Sequence, residues 1–417
     1  MTGRSDRRTQ DGNHTLAAGG VVPQRRDHAV AVISPALEDR DATAFVHVGT
    51  DCDPGIRYCT PRSRRGLTAV AYDALDGGWL VRSAADDSGP HPAEQVASVL
   101  ADRGHDGTVL TPARVPHDAA LYLENAGFEL ASTAALERAR AVKTGGEHER
   151  IAAAQRAANA GVRRAASLLA DAAVIDGRLA VAGDGGVGSE IGPEADTGSE
   201  TGPAADTGSD RDTDHGSDFE FLTPARLRIA VDEAIVGAGA FPAGNTVVDT
   251  SSGVGTDDAA LRPGVPIVLE TAPRSAAGYH GGLVRTFVVD SDGGRERRVH
   301  VAVTQSFRSA RSMLTAGSAS VSAVAADLEA EVRSFGFGEG DDVATRVSGV
   351  GLESREQPLN GDDVLASGSI VRLDVAATVD EDNWLRIADL LAVTDDGERP
   401  EWIASPSQSL DPGASLK

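Results

Sequence analysis

Residues 183–218 cannot join a folded core, and that divides the chain. The stretch holds ten Asp or Glu residues against one Arg, a net charge of −9. Residues 188–197 (GSEIGPEADT) are nearly repeated in 198–207 (GSETGPAADT), with eight of ten positions identical. A polar tandem segment of this kind buries too little apolar surface to offset the entropy of ordering it, so the sequence predicts an acidic disordered insert. His215 lies inside it beside Asp212, Asp214 and Asp218, and the expectation there is a flexible linker rather than a metal site. The folded cores must therefore come from the blocks on either side.

Those blocks are long enough. The chain has 417 residues, 41% of them hydrophobic, which suits two or three domains. The net charge is −24, and lysine occurs only at Lys143 and Lys417, so arginine supplies 37 of the 39 basic residues. Dense carboxylates keep a protein soluble where salt screens their repulsion, and the composition resembles that of a halophilic cytoplasmic protein. A surface this negative argues against nucleic-acid binding, which needs cations against phosphate. No apolar run reaches the roughly 18 residues of a membrane span. Residues 1–28 are polar, without the apolar segment of a secretory signal, and are expected to form a disordered tail. Residues 401–417 are expected to be a flexible tail as well. Cys52 and Cys59 have no common zinc-site spacing and are expected to be free thiols.

Residues 29–142 read as a small α/β domain. Ala44–Val48, Leu67–Ala71, Trp79–Val81 and Thr108–Leu110 are strand-like. Glu94–Arg103 has helical spacing, with Val96, Val99 and Leu100 on one side, and a second helix opens at Pro116-His117-Asp118 and ends before Gly127. A long amphipathic helix follows the junction at Lys143-Thr144, burying Ile151, Ala154, Ala158, Val162, Ala165 and Leu169. After the insert, Thr223-Pro224 is an N-cap with proline at the first helical position. Strand-like runs follow at 246–248, 266–269 and 283–289. Helices come next at about 297–316 and 320–335, and strands at 369–379 and 384–394.

The run Gly278-Tyr279-His280-Gly281-Gly282-Leu283-Val284-Arg285-Thr286-Phe287 resembles a strand motif of the pita-bread metallopeptidases, the group of Xaa-Pro aminopeptidases, prolidases, methionine aminopeptidases and creatinase. The junction Lys143-Thr144-Gly145-Gly146-Glu147 resembles that group's entry into its catalytic domain. The resemblance implies an α+β pita-bread C-terminal domain, residues 143–400, preceded by a smaller α/β creatinase-like N-terminal domain, with a homodimer or a heterodimer with a related subunit as the assembly. It also implies five ligands for two divalent metals such as Mn or Co, which polarise the substrate carbonyl and supply hydroxide.

On this sequence the five positions fall at Glu270, Gly282, Ser348, Asp374 and Ala388. Glu270 and Asp374 keep carboxylates of altered length, and the other three offer no ligand side chain of the expected kind. The second family His, which contacts substrate, corresponds to Arg355. No metal, no cofactor and no catalytic residue is therefore expected. His280, Arg355, Glu356 and Arg386 are candidate contacts for a peptide or small-molecule ligand. The first expectation is a non-catalytic homologue that binds such a ligand or an active relative. The alternatives are an active metal-dependent proline-directed aminopeptidase or dipeptidase, and a metal-free creatinase-like amidinohydrolase. The last needs a catalytic His between Asp249 and Leu261, where there is none; Asp257 and Asp258 are the only nearby substitutes.

Overall fold

The computed structural model describes residues 21–60, 66–84, 89–182, 219–250, 258–337 and 343–416. The acidic insert expected at 183–218 and the first 20 residues of the expected N-terminal tail lie outside them, as does Asp257.

The N-terminal unit runs α1 (Val21–Glu38), β1 (Ala42–Gly49), α2 (Pro54–Cys59), β2 (Thr68–Asp73), β3 (Gly78–Ser83), α3 (Pro92–Asp102), β4 (Thr108–Thr111), α4 (His117–Asn125), β5 (Glu129–Ser132) and α5 (Ala135–Ala141). Its five strands order as β3-β2-β1-β4-β5. The β1–β2 and β2–β3 pairs are antiparallel, whereas β1–β4 and β4–β5 are parallel and are connected through helices. Both sheet faces are covered, which is why β1 and β2 are buried along most of their length. One face packs Val46, Val48 and Ala69 on α3 and α4; the other packs Phe45, Val70 and Tyr72 on α1 and α5.

The tail expected over 1–28 is corrected by α1, which begins at Val21. Val22, Ala29, Ile33 and Leu37 share its buried face at spacings of about one or two turns, so the segment is held by packing.

The C-terminal unit begins with α6 (Gly145–Ala170), opened by a reciprocal cap between Thr144 and Glu147. It continues through β6 (Ala173–Ile175), β7 (Arg178–Ala182), β8 (Phe219–Phe221), α7 (Pro224–Gly237), β9 (Ala240–Phe241), β10 (Thr246–Thr250), β11 (Ile267–Thr271), β12 (Arg274–Ser275), β13 (Leu283–Phe287), α8 (Arg295–Ala316), α9 (Val321–Ser334), β14 (Val343–Gly349), β15 (Ile370–Thr378), β16 (Trp384–Ala392) and β17 (Glu401–Trp402). The main sheet orders as β10-β11-β13-β16-β15-β14, with β17 added to β16.

Helices cover one face of this sheet in two pairs. α6 and α7 pack on Ile267, Leu269, Leu283 and Phe287. α8 and α9 pack on Val371, Leu373, Val375 and Ile387. This is the α+β pita-bread arrangement that the sequence resemblance implied. Side chains one residue along each strand point the other way, into the open face, and the candidate site is built there.

The expectation of a flexible tail over 401–417 is also corrected. β17 pairs with β16, Val288 donates to the Leu410 carbonyl, and residues 414–416 form a 3-10 turn. No helix among the described residues is long and apolar enough to cross a membrane.

Candidate functional site

Strand register brings the expected ligand positions together. Glu270 lies opposite Val284, Val284 opposite Ala388, Ala388 opposite Asp374, and Asp374 opposite Arg346. These residues form one row across β11, β13, β16, β15 and β14, all on the open face. Gly282, Arg372 and Ser348 are each two residues from a member of that row, and so lie on the same face. Arg372 is paired with Ser348 across β14–β15. Arg386 is two residues before Ala388 and shares the face too.

What fills the row is arginine. Arg372 Nη2 donates to Glu270 Oε1 at 2.6 Å and to Asp374 Oδ2 at 2.9 Å. Arg386 donates from Nη1 to Glu270 Oε2 at 2.7 Å, from Nε to Asp374 Oδ1 at 2.8 Å and from Nη2 to Asp374 Oδ2 at 2.6 Å. All four carboxylate oxygens thus accept from a guanidinium. The fork-like geometry of Arg suits two carboxylates better than a lysine would.

Burial on its own would raise the carboxyl pKa values. Arg372 and Arg386 outweigh it, holding Glu270 below the usual carboxylate range, and Arg386 with Arg372 does the same to Asp374. Arg386 is likewise opposed by burial, but Asp374 and Glu270 keep it firmly protonated.

A metal pair does not fit this donor set. Two carboxylates remain of the five ligands, and their lone pairs already face cations. At Gly282, where the resemblance places a bridging Asp, an added Cβ would lie 3.4 Å from Arg372 Nη1 and 3.5 Å from its Cδ. The space such a carboxylate would enter is the space Arg372 runs through. Ser348 is buried and Ala388 is packed with Val268 and Val284. Among the described residues no group of three or more His, Cys, Asp or Glu side chains is placed to hold a metal ion.

The remaining candidates separate. Arg355 lies at the mouth of a recess of about 30 Å³, together with Arg346, Ser348, the two carboxylates and the two arginines that hold them. Partial burial, then the nearby Arg346 and Arg372, lowers its pKa. His280 is half-buried, its Nδ1 3.4 Å from the Ala272 carbonyl oxygen and its backbone N–H bonded to Gly351. Burial lowers its pKa, as do Arg274 and Arg57.

Glu356, expected as a ligand contact, is instead part of the joint between the two units. It accepts from Lys143 Nζ and Arg140 Nη2 at 2.5 Å each and is 6% exposed. Burial would raise its pKa, and Lys143 and Arg140 reverse that. A second joint contact runs from Arg25 through the Tyr279 hydroxyl to Glu147.

Asp258 is exposed, and among the described residues neither it nor any His lines the recess as a base. Cys52 and Cys59 are both free, and burial pushes the Cys59 thiol up to about 12. Sequence reasoning missed Arg372 and Arg346. Their signal was the two-residue strand period, which sets Arg372 beside Asp374 and Arg346 beside Ser348.

Comparison with known proteins agrees with this architecture. Residues 235–395 match the model of metallopeptidase family M24. The Xaa-Pro dipeptidase from Bacillus anthracis superposes with a TM-score of 0.67 at 14% identity, covering 93% of this chain and 99% of that one. The dipeptidase PepE from Mycobacterium ulcerans gives 0.66 at 18% identity, covering 94% and 97%. The N-terminal domain of the FACT complex subunit SPT16 from Cicer arietinum gives 0.64 at 13% identity, covering 94% and 97%. No curated protein matches the sequence. The open sheet face, the paired helices behind it and the match across its strands give this chain the fold of the M24 metallopeptidases.

Proposed function

We propose that this chain is a non-catalytic homologue of the Xaa-Pro aminopeptidases and prolidases, in which a pair of guanidiniums has taken the place of the metal pair and the cleft serves for binding. One observation carries this: every oxygen of Glu270 and Asp374 accepts from Arg372 or Arg386. To bind a divalent ion the site would have to release buried charge-assisted hydrogen bonds and set two like charges against the incoming cation.

The ligand in this reading is a peptide or small molecule, or the protein pairs with a second copy or with a related subunit. The chickpea relative is named as the subunit of a complex, a precedent for this fold in an assembly. The acidic, lysine-poor composition suits a cytoplasm of high salt.

The test is direct. Protein purified in molar KCl is assayed for bound metal and for turnover of Xaa-Pro peptides with added Mn²⁺ or Co²⁺. The expected result is no stoichiometric metal, no turnover and no metal-induced rise in melting temperature, since an ion that bound the folded state would raise it. Two ions per chain with turnover would establish the active peptidase instead. Turnover without metal, abolished by Glu270→Gln, would establish the metal-free hydrolase.

A further inference from the structure

The charge count in the row does not close. Glu270 and Asp374 together carry two negative charges, whereas Arg346, Arg355, Arg372 and Arg386 carry four positive ones, all lining the same recess. Two guanidiniums are therefore in excess, in a protein whose net charge is −24. Arg372 and Arg386 are engaged by the carboxylates. Arg346 and Arg355 are exposed, and among the described residues neither side chain has an ion-pair or hydrogen-bond partner. Through space Arg355 is repelled by Arg346 and Arg372, and the carboxylate that attracts Arg346 and Arg355, Asp374, is one that Arg372 and Arg386 already hold. Arg372, only 6% exposed, leaves its Nε hydrogen without an acceptor. Buried donors are ordinarily satisfied, so an orphan beside two unpaired arginines points to a missing acceptor.

We infer that this recess binds a doubly charged oxyanion group of the phosphate type, held mainly by Arg346 and Arg355 at its mouth and backed by the guanidinium pair of Arg372 and Arg386. The inference rests on the reading that guanidiniums and not metals fill the row. A dianion balances the excess of two charges. Its several oxygens can accept from two planar guanidiniums at once, which a halide cannot do, and Arg is the residue suited to that forked contact. The recess is about 30 Å³, on the scale of one compact group. A larger cavity, about 310 Å³, is lined by Asp249, Asp380, Glu381 and Asp382 and would repel such a ligand.

Inorganic phosphate is the probe, titrated calorimetrically into full-length protein of measured metal content. The titration uses the lowest KCl concentration that keeps the fold, because salt screens exposed charges. The expected result is saturable binding at one phosphate per chain, with acetate weaker by about tenfold or more because it brings a single charge. The Arg346→Gln/Arg355→Gln double variant changes only exposed side chains. It is expected to keep its melting temperature and lose phosphate affinity by about tenfold or more. No saturable phosphate binding by the wild type, equal binding of acetate, or unchanged affinity in the folded double variant would each overturn the proposal. Failure here in a metal-free, inactive protein leaves the non-catalytic reading intact. Metal with peptide turnover sinks that reading whatever phosphate does.

Discussion

Two arginine–carboxylate clusters sit on opposite faces of the main sheet, and they differ in whether their donors are used up. On the helix-covered side, Arg285 and Asp389 are fully buried. Arg285 donates to Asp389 at 2.7 Å and also to the carbonyls of Val284, Ala388, Pro406 and Ser407. Asp389 in turn accepts from Ser405 and Gln408. Every donor is matched, the charges cancel and no solvent reaches the pair. On the open side, Arg372 and Arg386 also hold two carboxylates, but Arg372 keeps an orphan donor and two further arginines stand unpaired at the mouth. A closed network fixes a scaffold, and an open one with surplus charge is available to a ligand.

The largest effect should come from breaking the closed cluster. Asp389→Ala would leave Arg285 charged and buried without its counter-ion, and would also free Ser405 and Gln408. Removing one partner of a buried pair costs about 3–5 kcal/mol. Denaturant unfolding should show that loss, and the Val288 amide, which donates to the Leu410 carbonyl, should lose exchange protection with it. A cost similar to that of an exposed pair would mean that the C-terminal segment is held by something other than Arg285.

The open cluster should be softer. Arg386→Ala removes the residue that makes most of the bonds to the two carboxylates, yet Arg372 still reaches both of them and Glu270 is half-buried, so water can replace some bonds. A loss of roughly 1–3 kcal/mol is expected, the range for charge-assisted hydrogen bonds and for a partly unsatisfied acceptor. If Arg386→Ala cost more than Asp389→Ala in the same unfolding experiment, the contrast between scaffold and site would be reversed.

The two faces also differed in how far the sequence disclosed them. Arg285-Thr286-Phe287 stood out as part of a motif, and the strands of both clusters lie where their apolar runs put them. The losses at Gly282, Ser348 and Ala388 were equally plain, because a missing donor atom is a property of one residue. The gains were not. Arg372 becomes meaningful only when Glu270, 102 residues away, is set beside it. Glu356 looked like a cleft residue because its partners lie 216 and 213 residues earlier, Arg140 in the other unit and Lys143 at the junction. The C-terminal segment looked flexible because backbone carbonyls, which carry no sequence signal, are what Arg285 grips. Val22 starts a buried stripe, but the polar residues around it disguised the helix as a tail.

The smallest effect probes the open cluster through its acidity. Glu270 and Asp374 are held below their ordinary values of 4.5 and 3.8. A carboxyl whose folded pKa is depressed contributes stability that is present above its unfolded pKa and is lost as pH falls through the folded one. Glu356 titrates in the same direction, so the wild-type slope alone assigns nothing. The Glu270→Gln variant isolates the open cluster, because it removes one titrating group and leaves the joint intact. At constant KCl it should be less stable than wild type above about pH 5, by roughly 1 kcal/mol for a half-buried pair, and the gap should close as the pH falls below the ordinary carboxylate range. A gap that held constant with pH would show that the guanidiniums do not favour the ionised form of Glu270, and that the open cluster is as indifferent to protons as a neutral contact.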